Sequence, residues 1–219
     1  MVNSMVRNVR EILSDRLLLL WLMYDAMGYK RFGDTKTQKL TYLSEWRMID
    51  KREKGFNYDF IKLPFGPYSD DLDKDIVWLL EQSLLEVIHI SEDAKIFCES
   101  RFGRKLLNDF HDLFDRNNLF IREIAEMNSQ FAPKNSQEIV DYVHGLPHPY
   151  IKNRTINDLK LGQRILYKLD EKKARNTFDI TPEELATLEI YLDNESYNSA
   201  IEASESAKRK PLLSFDEVF

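Results

Sequence analysis

Apolar positions recur at helical spacing over most of the chain, and that recurrence predicts a mainly helical protein. From Val6 to Met27 apolar residues fill successive turns and stop at Gly28, which suits a left-handed C-cap. A second helix is predicted over Thr35 to Arg52, with Leu40, Leu43 and Trp46 or Arg47 on one side and Gly55 closing it. Tyr58 to Leu63 reads differently, since aromatic and β-branched residues over so short a span predict a strand.

The segment Leu63-Pro-Phe-Gly-Pro-Tyr-Ser69 then forces a bend, because its prolines fix the backbone and its glycine frees it. Ser69 is positioned as an N-cap, with Asp70, Asp71 and Asp73 in a first helical turn whose positive dipole end favours carboxylates. Leu72, Ile76, Leu79 and Leu80 form the buried stripe of that helix, and its acids from Asp70 to Asp75 read as capping and solvated groups. Leu85–Ile90 and Ala94–Glu99, separated by a polar turn at Ser91-Glu92-Asp93, predict a hairpin.

Further helices are predicted over Phe102 to Arg116, with Leu106, Phe110, Leu113 and Phe114 inward, and over Leu119 to Phe131 and Ser136 to Val143. Pro133 separates the last two, and Asn135 or Ser136 caps the second. His144-Gly-Leu-Pro-His-Pro-Tyr150 cannot continue a helix and marks the edge of the compact region. After a mixed, charged connector with one apolar island from Leu159 to Leu169 and an expected short helix or strand, Thr181-Pro-Glu-Glu184 is a capping box leading into Leu185, Leu188 and Leu192. Tyr197 to Lys210 is a weaker helix that Pro211 stops, leaving an apolar and acidic terminal peptide, Leu212 to Phe219.

These elements predict a mainly α fold with a small β-sheet or hairpin, in the α+β class, followed by a C-terminal helical extension. The expected division is 1–150 as the folded domain, 151–180 as connector and 181–219 as helical segment and interaction tail. Seven glycines and seven prolines in 219 residues argue against a loop-rich all-β fold. The apolar run Leu17–Met23 is far too short to span a bilayer, and with Glu11 and Asp15 interrupting the approach to it and no small-residue cleavage site following, it is no signal peptide, so a cytoplasmic protein with no membrane partner is expected. The single Cys98 permits no intrachain disulfide and reads as a small buried residue.

Candidate chemistry is sparse. His144 and His148 have the spacing of helical zinc ligands, yet Pro147 breaks the helix that would align them. No glycine-rich phosphate loop or nucleophile elbow occurs, so no enzyme, catalytic residue, metal or cofactor is expected. The order helix, strand, helix, hairpin from Thr35 to Glu99 is similar to a winged helix and raises a DNA-binding reading. The helix in the recognition position carries Asp70, Asp71, Asp73, Asp75 and Glu81 against one Lys74, in a chain of net charge −6. That balance repels phosphates, so nucleic acid is not the expected partner.

Thr37-Gln-Lys-Leu-Thr-Tyr-Leu43, then Phe65-Gly-Pro-Tyr-Ser69, Leu72, Asp75 and Leu84-Leu-Glu-Val87 together resemble the Panacea domain, the SocA-like and often phage-associated antitoxin family. The resemblance covers roughly residues 10 to 145. Phe65 stands where tyrosine is commoner in the family, and Ser83-Leu84-Leu85 replaces Gly-Leu-Ile. The end, from Ala200 to Val218, is similar to the ends of several small antitoxins.

The resemblance implies the antitoxin of a type II toxin–antitoxin system, which neutralises a cognate toxin by direct protein–protein contact. In that reading Phe65, Pro67, Tyr68, Leu212, Phe215 and Phe219 are buried against the toxin, with Asp70 and Asp71 at the rim. One branch of the family implies an alternative, a proteolytic adaptor delivering a toxin to a Clp-type protease. The third reading is the winged-helix-like DNA-binding regulator. Stoichiometry stays open, a homodimer included.

Overall fold

The computed structural model describes residues 6–26, 33–91, 94–192, 199 and 202 of the chain. Helix α1 (Val9–Asp25) begins where Asn8 and Glu11 close a capping box, each side chain accepting from the other's backbone N–H. The box sets the start three residues later than periodicity predicts, leaving Arg7 outside the helix. Leu17 to Leu20 and Leu22 are all fully buried, so α1 is covered on every side and forms the centre of the core. The predicted cap at Gly28 lies outside the described residues.

Helix α2 (Asp34–Asp50) ends before Gly55, at Lys51 and a left-handed Arg52 with φ 59°. Gly55 is instead a close approach, where an added Cβ would meet Met48 Sδ at 2.5 Å. Then follow β1 (Glu53–Lys54), β2 (Phe60–Leu63), β3 (Gly66–Tyr68), α3 (Asp70–Glu81), β4 (Leu85–Ser91) and β5 (Ala94–Glu99). The predicted helix 102–116 is two pieces, α4 (Arg101–Asp109) and α5 (His111–Arg116). Phe110 breaks it, with φ −108° and ψ 25°, and both pieces still bury their leucines.

Helices α6 (Asn118–Phe131) and α7 (Ser136–Gly145) pack on α2, and α6 also packs on α1. Asn135 and Glu138 form a reciprocal capping box at the start of α7. Residues beyond Tyr150 do not behave as a connector. Strands β6 (Arg164–Leu166) and β7 (Asn176–Thr177) pair with β2 and β1, and Ile156, Ile165, Leu166 and Phe178 are buried. The first compact unit therefore runs to Ile180 rather than to 150.

The second unit begins at Thr181, and its helix α8 (Pro182–Tyr191) opens with the Thr181–Glu184 capping box and Pro182 in its first turn. Leu188 and Leu192 are buried, while Leu185 is half-buried. The helix expected over Tyr197–Lys210 and the stop at Pro211 fall almost wholly outside the described residues.

The sheets are small: β3-β2-β6, the parallel pair β1-β7, and the β4-β5 hairpin, whose turn residues Glu92 and Asp93 lie outside the described residues. The fold is thus mainly helical with small sheets. Strand β2, between α2 and α3, lies in a different sheet from the hairpin.

Ser83, joining α3 to β4, sits at φ 56°, a region that costs an L-residue roughly 1–2 kcal/mol. Ser83→Gly is expected to raise stability by about 0.5–1 kcal/mol, read as an upward shift of the urea midpoint at unchanged slope.

Candidate functional site

The proline- and glycine-bearing bend is a tight hairpin. Ile61 pairs with Tyr68, Lys62 with Pro67 and Leu63 with Gly66, leaving Pro64 and Phe65 at the tip. Gly66 has φ 95°, the left-handed residue that follows a turn of this kind. Pro67 lies on edge strand β3, a position that tolerates a missing N–H. Strand β3 was not predicted, because it is a three-residue piece within what reads as a bend.

Helix α2 grips this hairpin from behind. Gln38 accepts from Ser69 N (2.9 Å) and donates to Ser69 O (3.0 Å), and Lys39 Nζ donates to Pro67 O (2.8 Å). Tyr68 OH donates to Asp73 (2.6 Å). Ser69 is the N-cap of α3 by backbone geometry only, since its hydroxyl makes no capping bond.

The predicted contact residues consequently separate. Phe65 is 65% exposed and Asp70 is exposed, whereas Pro67 is buried and Tyr68 half-buried. Asp71 is half-buried and paired with Lys74 (2.9 Å) and Arg7 (3.7 Å). Leu212, Phe215 and Phe219 lie outside the described residues.

A charged network stands behind α3. Asp75, expected among the solvated acids, is buried, and its Oδ2 accepts from Arg7 (2.6 Å) and from the Tyr58 hydroxyl (3.0 Å). Its Oδ1 accepts from Arg16 Nε (3.0 Å), whose guanidinium lies 3.7 Å over the Trp78 ring. Arg7 also donates to Asp15 (2.7 Å), which accepts from Asn57 N (2.7 Å) and Asn57 Nδ2 (3.0 Å). Burial pushes the Asp15 carboxyl up to about 7, against the opposing pull of Arg7. The arginine remains charged: burial opposes its charge, but Asp15 and Asp75 hold its pKa above the ordinary value.

Glu45, fully buried on α2, accepts from Tyr58 N through Oε2 and has no partner for Oε1. Burial first, then the charge of Asp15, push its carboxyl well above 4.5. Between 4.5 and that raised value the folded chain holds a proton the unfolded chain has released, so stability falls as pH rises through this window. Glutamine has no proton to lose. The stability of Glu45→Gln relative to the parent should therefore rise between pH 5 and pH 8, read by urea unfolding at both values.

His148 is buried, and its Nδ1 accepts from Tyr150 N and Ile151 N at 3.0 Å each, which fixes the loop after α7. His144 lies elsewhere, beside Gly66. Cys98 is buried on β5. Among the described residues no group of three or more His, Cys, Asp or Glu side chains is placed to hold a metal ion, and no helix is long and apolar enough to cross a membrane.

Sequence reading missed Arg7, Arg16, Asn57 and Glu45 as parts of one network. One signal was present: Asp15 and Glu45 are acids inside helices that are otherwise buried at neighbouring positions. No family model, no curated protein and no solved structure matches the chain.

Proposed function

We propose that this chain is an antitoxin that neutralises a partner toxin by direct protein binding, with Phe65 as its anchor and Asp70 and Asp71 as an acidic rim. One observation carries the reading. The two stretches that resemble the Panacea domain, 37–43 and 65–69, are in contact, with Gln38 and Lys39 holding Ser69 and Pro67. Together they make one stiff unit that projects a single aromatic ring.

Preorganisation of this kind lowers the entropy cost of association, and aromatic anchors dominate binding energy at interfaces. Acids beside the anchor favour a basic partner surface and speed encounter with it. Ser83 adds support, since the family pattern has glycine there and its φ of 56° lies where glycine is at ease. The reading places the protein in the cytoplasm with its toxin.

DNA recognition is disfavoured by the exposed stripe of α3. Asp70, Lys74, Val77 and Glu81 face outward, with Asp71 beside them, so the helix offers phosphate more repulsion than attraction. The test is to express each adjacent gene alone and together with this one, in wild-type and Clp-protease-deficient cells. Rescue from toxicity in both strains is expected. Rescue only where the protease is present would replace direct neutralisation by delivery to the protease, and no toxicity from any neighbour would overturn both.

A further inference from the structure

Three basic groups converge beneath the hairpin, and among the described residues no acid is bonded to any of them. Lys39 comes from α2, Lys62 from β2 and His144 from α7. The Gly66 turn brings two of them together: a Cβ built there would lie 3.3 Å from His144 Nε2 and 3.5 Å from Lys39 Cε. Lys62 stands opposite Pro67 in the hairpin register, and Pro67 O receives the Lys39 ammonium.

Lys39 is 3% exposed and Lys62 5% exposed, yet neither has an ion-pair partner among the described residues, and Lys62 has no side-chain hydrogen bond. The Lys62 stem is buried while its ammonium still reaches solvent. His144 Nε2 is buried without a hydrogen-bond partner. Among the described residues, the carboxylate whose charge is felt at His144 is Asp141, on the same helix.

Buried like charges repel, and a fold holds them together at a cost unless an anion joins them. We propose that Lys39, Lys62 and His144 form a binding site for a phosphate-class oxyanion, entered past the Lys62 ammonium and backed by the Gly66 turn. Two ammonium groups and an imidazole N–H supply charge-assisted donors from three separate elements, the arrangement a tetrahedral oxyanion with several acceptor oxygens requires. The electrostatics agree with the geometry. Burial, then Lys62, brings the Lys39 ammonium down to about 8, and burial, then Lys62 and Lys39, lowers the His144 imidazole. A bound dianion would raise both. The proposed site requires no toxin, so its test is independent of the antitoxin reading.

The experiment is a titration of the full chain with inorganic phosphate, and separately with adenosine 5′-monophosphate, at pH 7, following the histidine ring resonances by nitrogen–proton correlation NMR. Saturable shifts of the His144 signals are expected, with His111 unmoved. Lys62→Met, whose stem fills the same space, should keep the fold and weaken binding about tenfold or more, the loss of one charge-assisted hydrogen bond. Saturation by both ligands supports a phosphomonoester as the natural anion, and saturation by phosphate alone supports the free anion. No saturable shift with either ligand, or equal binding by Lys62→Met with its fold intact, would overturn the site.

Discussion

Replacing Asp75 by alanine is expected to destabilise the folded chain by about 3–5 kcal/mol, the cost of leaving buried charge without its partner. Asp75 is the acceptor at which Arg7, Arg16 and Tyr58 meet, with bonds of 2.6, 3.0 and 3.0 Å. Its loss strands them unequally. Arg7, with 9% of its side chain exposed, keeps Asp15, whereas Arg16 at 19% keeps only its stacking on Trp78 and a route to solvent. Asp75→Asn keeps the shape and removes the charge, so it should fall between alanine and the parent. Val77→Ala, on the exposed side of the same helix, is the control and should stay within about 0.5 kcal/mol. Urea unfolding of the four proteins reads all of these values. Equal stability of Asp75→Ala and the parent would show that the network contributes nothing net.

Gly103→Ala is expected to cost about 2–3 kcal/mol, although alanine is the better helix former by about 1 kcal/mol. Position 103 lies in the first turn of α4, where the helix backbone crosses the start of β4. A Cβ there would sit 2.2 Å from Leu84 O and 3.2 Å from Leu20 Cδ1. The carbonyl cannot yield easily, because Leu84 O accepts the Ser100 N–H (3.0 Å), and Ser100 caps α4 through its bond from Gly103 N (2.9 Å). Helix and strand must therefore separate, at the expense of packing on α1. For a chain of this length the loss corresponds to a fall in Tm of roughly 4–12 °C, measurable by calorimetry. A Gly103→Ala protein as stable as the parent would contradict the close approach of α4 and β4.

Local chemistry made some of this fold readable and topology hid the rest. Helices α1, α2, α3, α6, α7 and α8 repeat apolar residues at helical spacing over ten residues or more, and each lies close to where its pattern places it. The β4–β5 hairpin was readable for a related reason, two short strand-like runs flanking a polar turn. Strands β1, β3, β6 and β7 are two or three residues long, too short for any period, and three of them pair with partners far away in the chain. That is why residues 151–180 read as a connector.

The same limit governs the candidate site. Pro64, Gly66 and Pro67 announce a turn in any sequence, and the turn is there. Which of its residues would face outward depended on Gln38 and Lys39 reaching it from α2, a contact across about thirty positions that no local pattern encodes. Asp70 and Asp75 are the same letter, five residues apart on one helix. One is solvated and the other buried because α1 and its preceding arm bring Arg16 and Arg7 onto Asp75, on the inner face.

Neutralisation by Phe65→Ala tests the proposed role of the hairpin as the anchor of an antitoxin. The ring is 65% exposed, so the variant should keep the parent's Tm. Co-expressed with the toxic neighbour at matched levels, it should fail to restore growth where the parent succeeds, and the purified pair should bind about thirtyfold more weakly, the loss of an anchor worth about 2 kcal/mol. Full rescue and unchanged affinity with Phe65→Ala would show that this hairpin does not anchor a toxin.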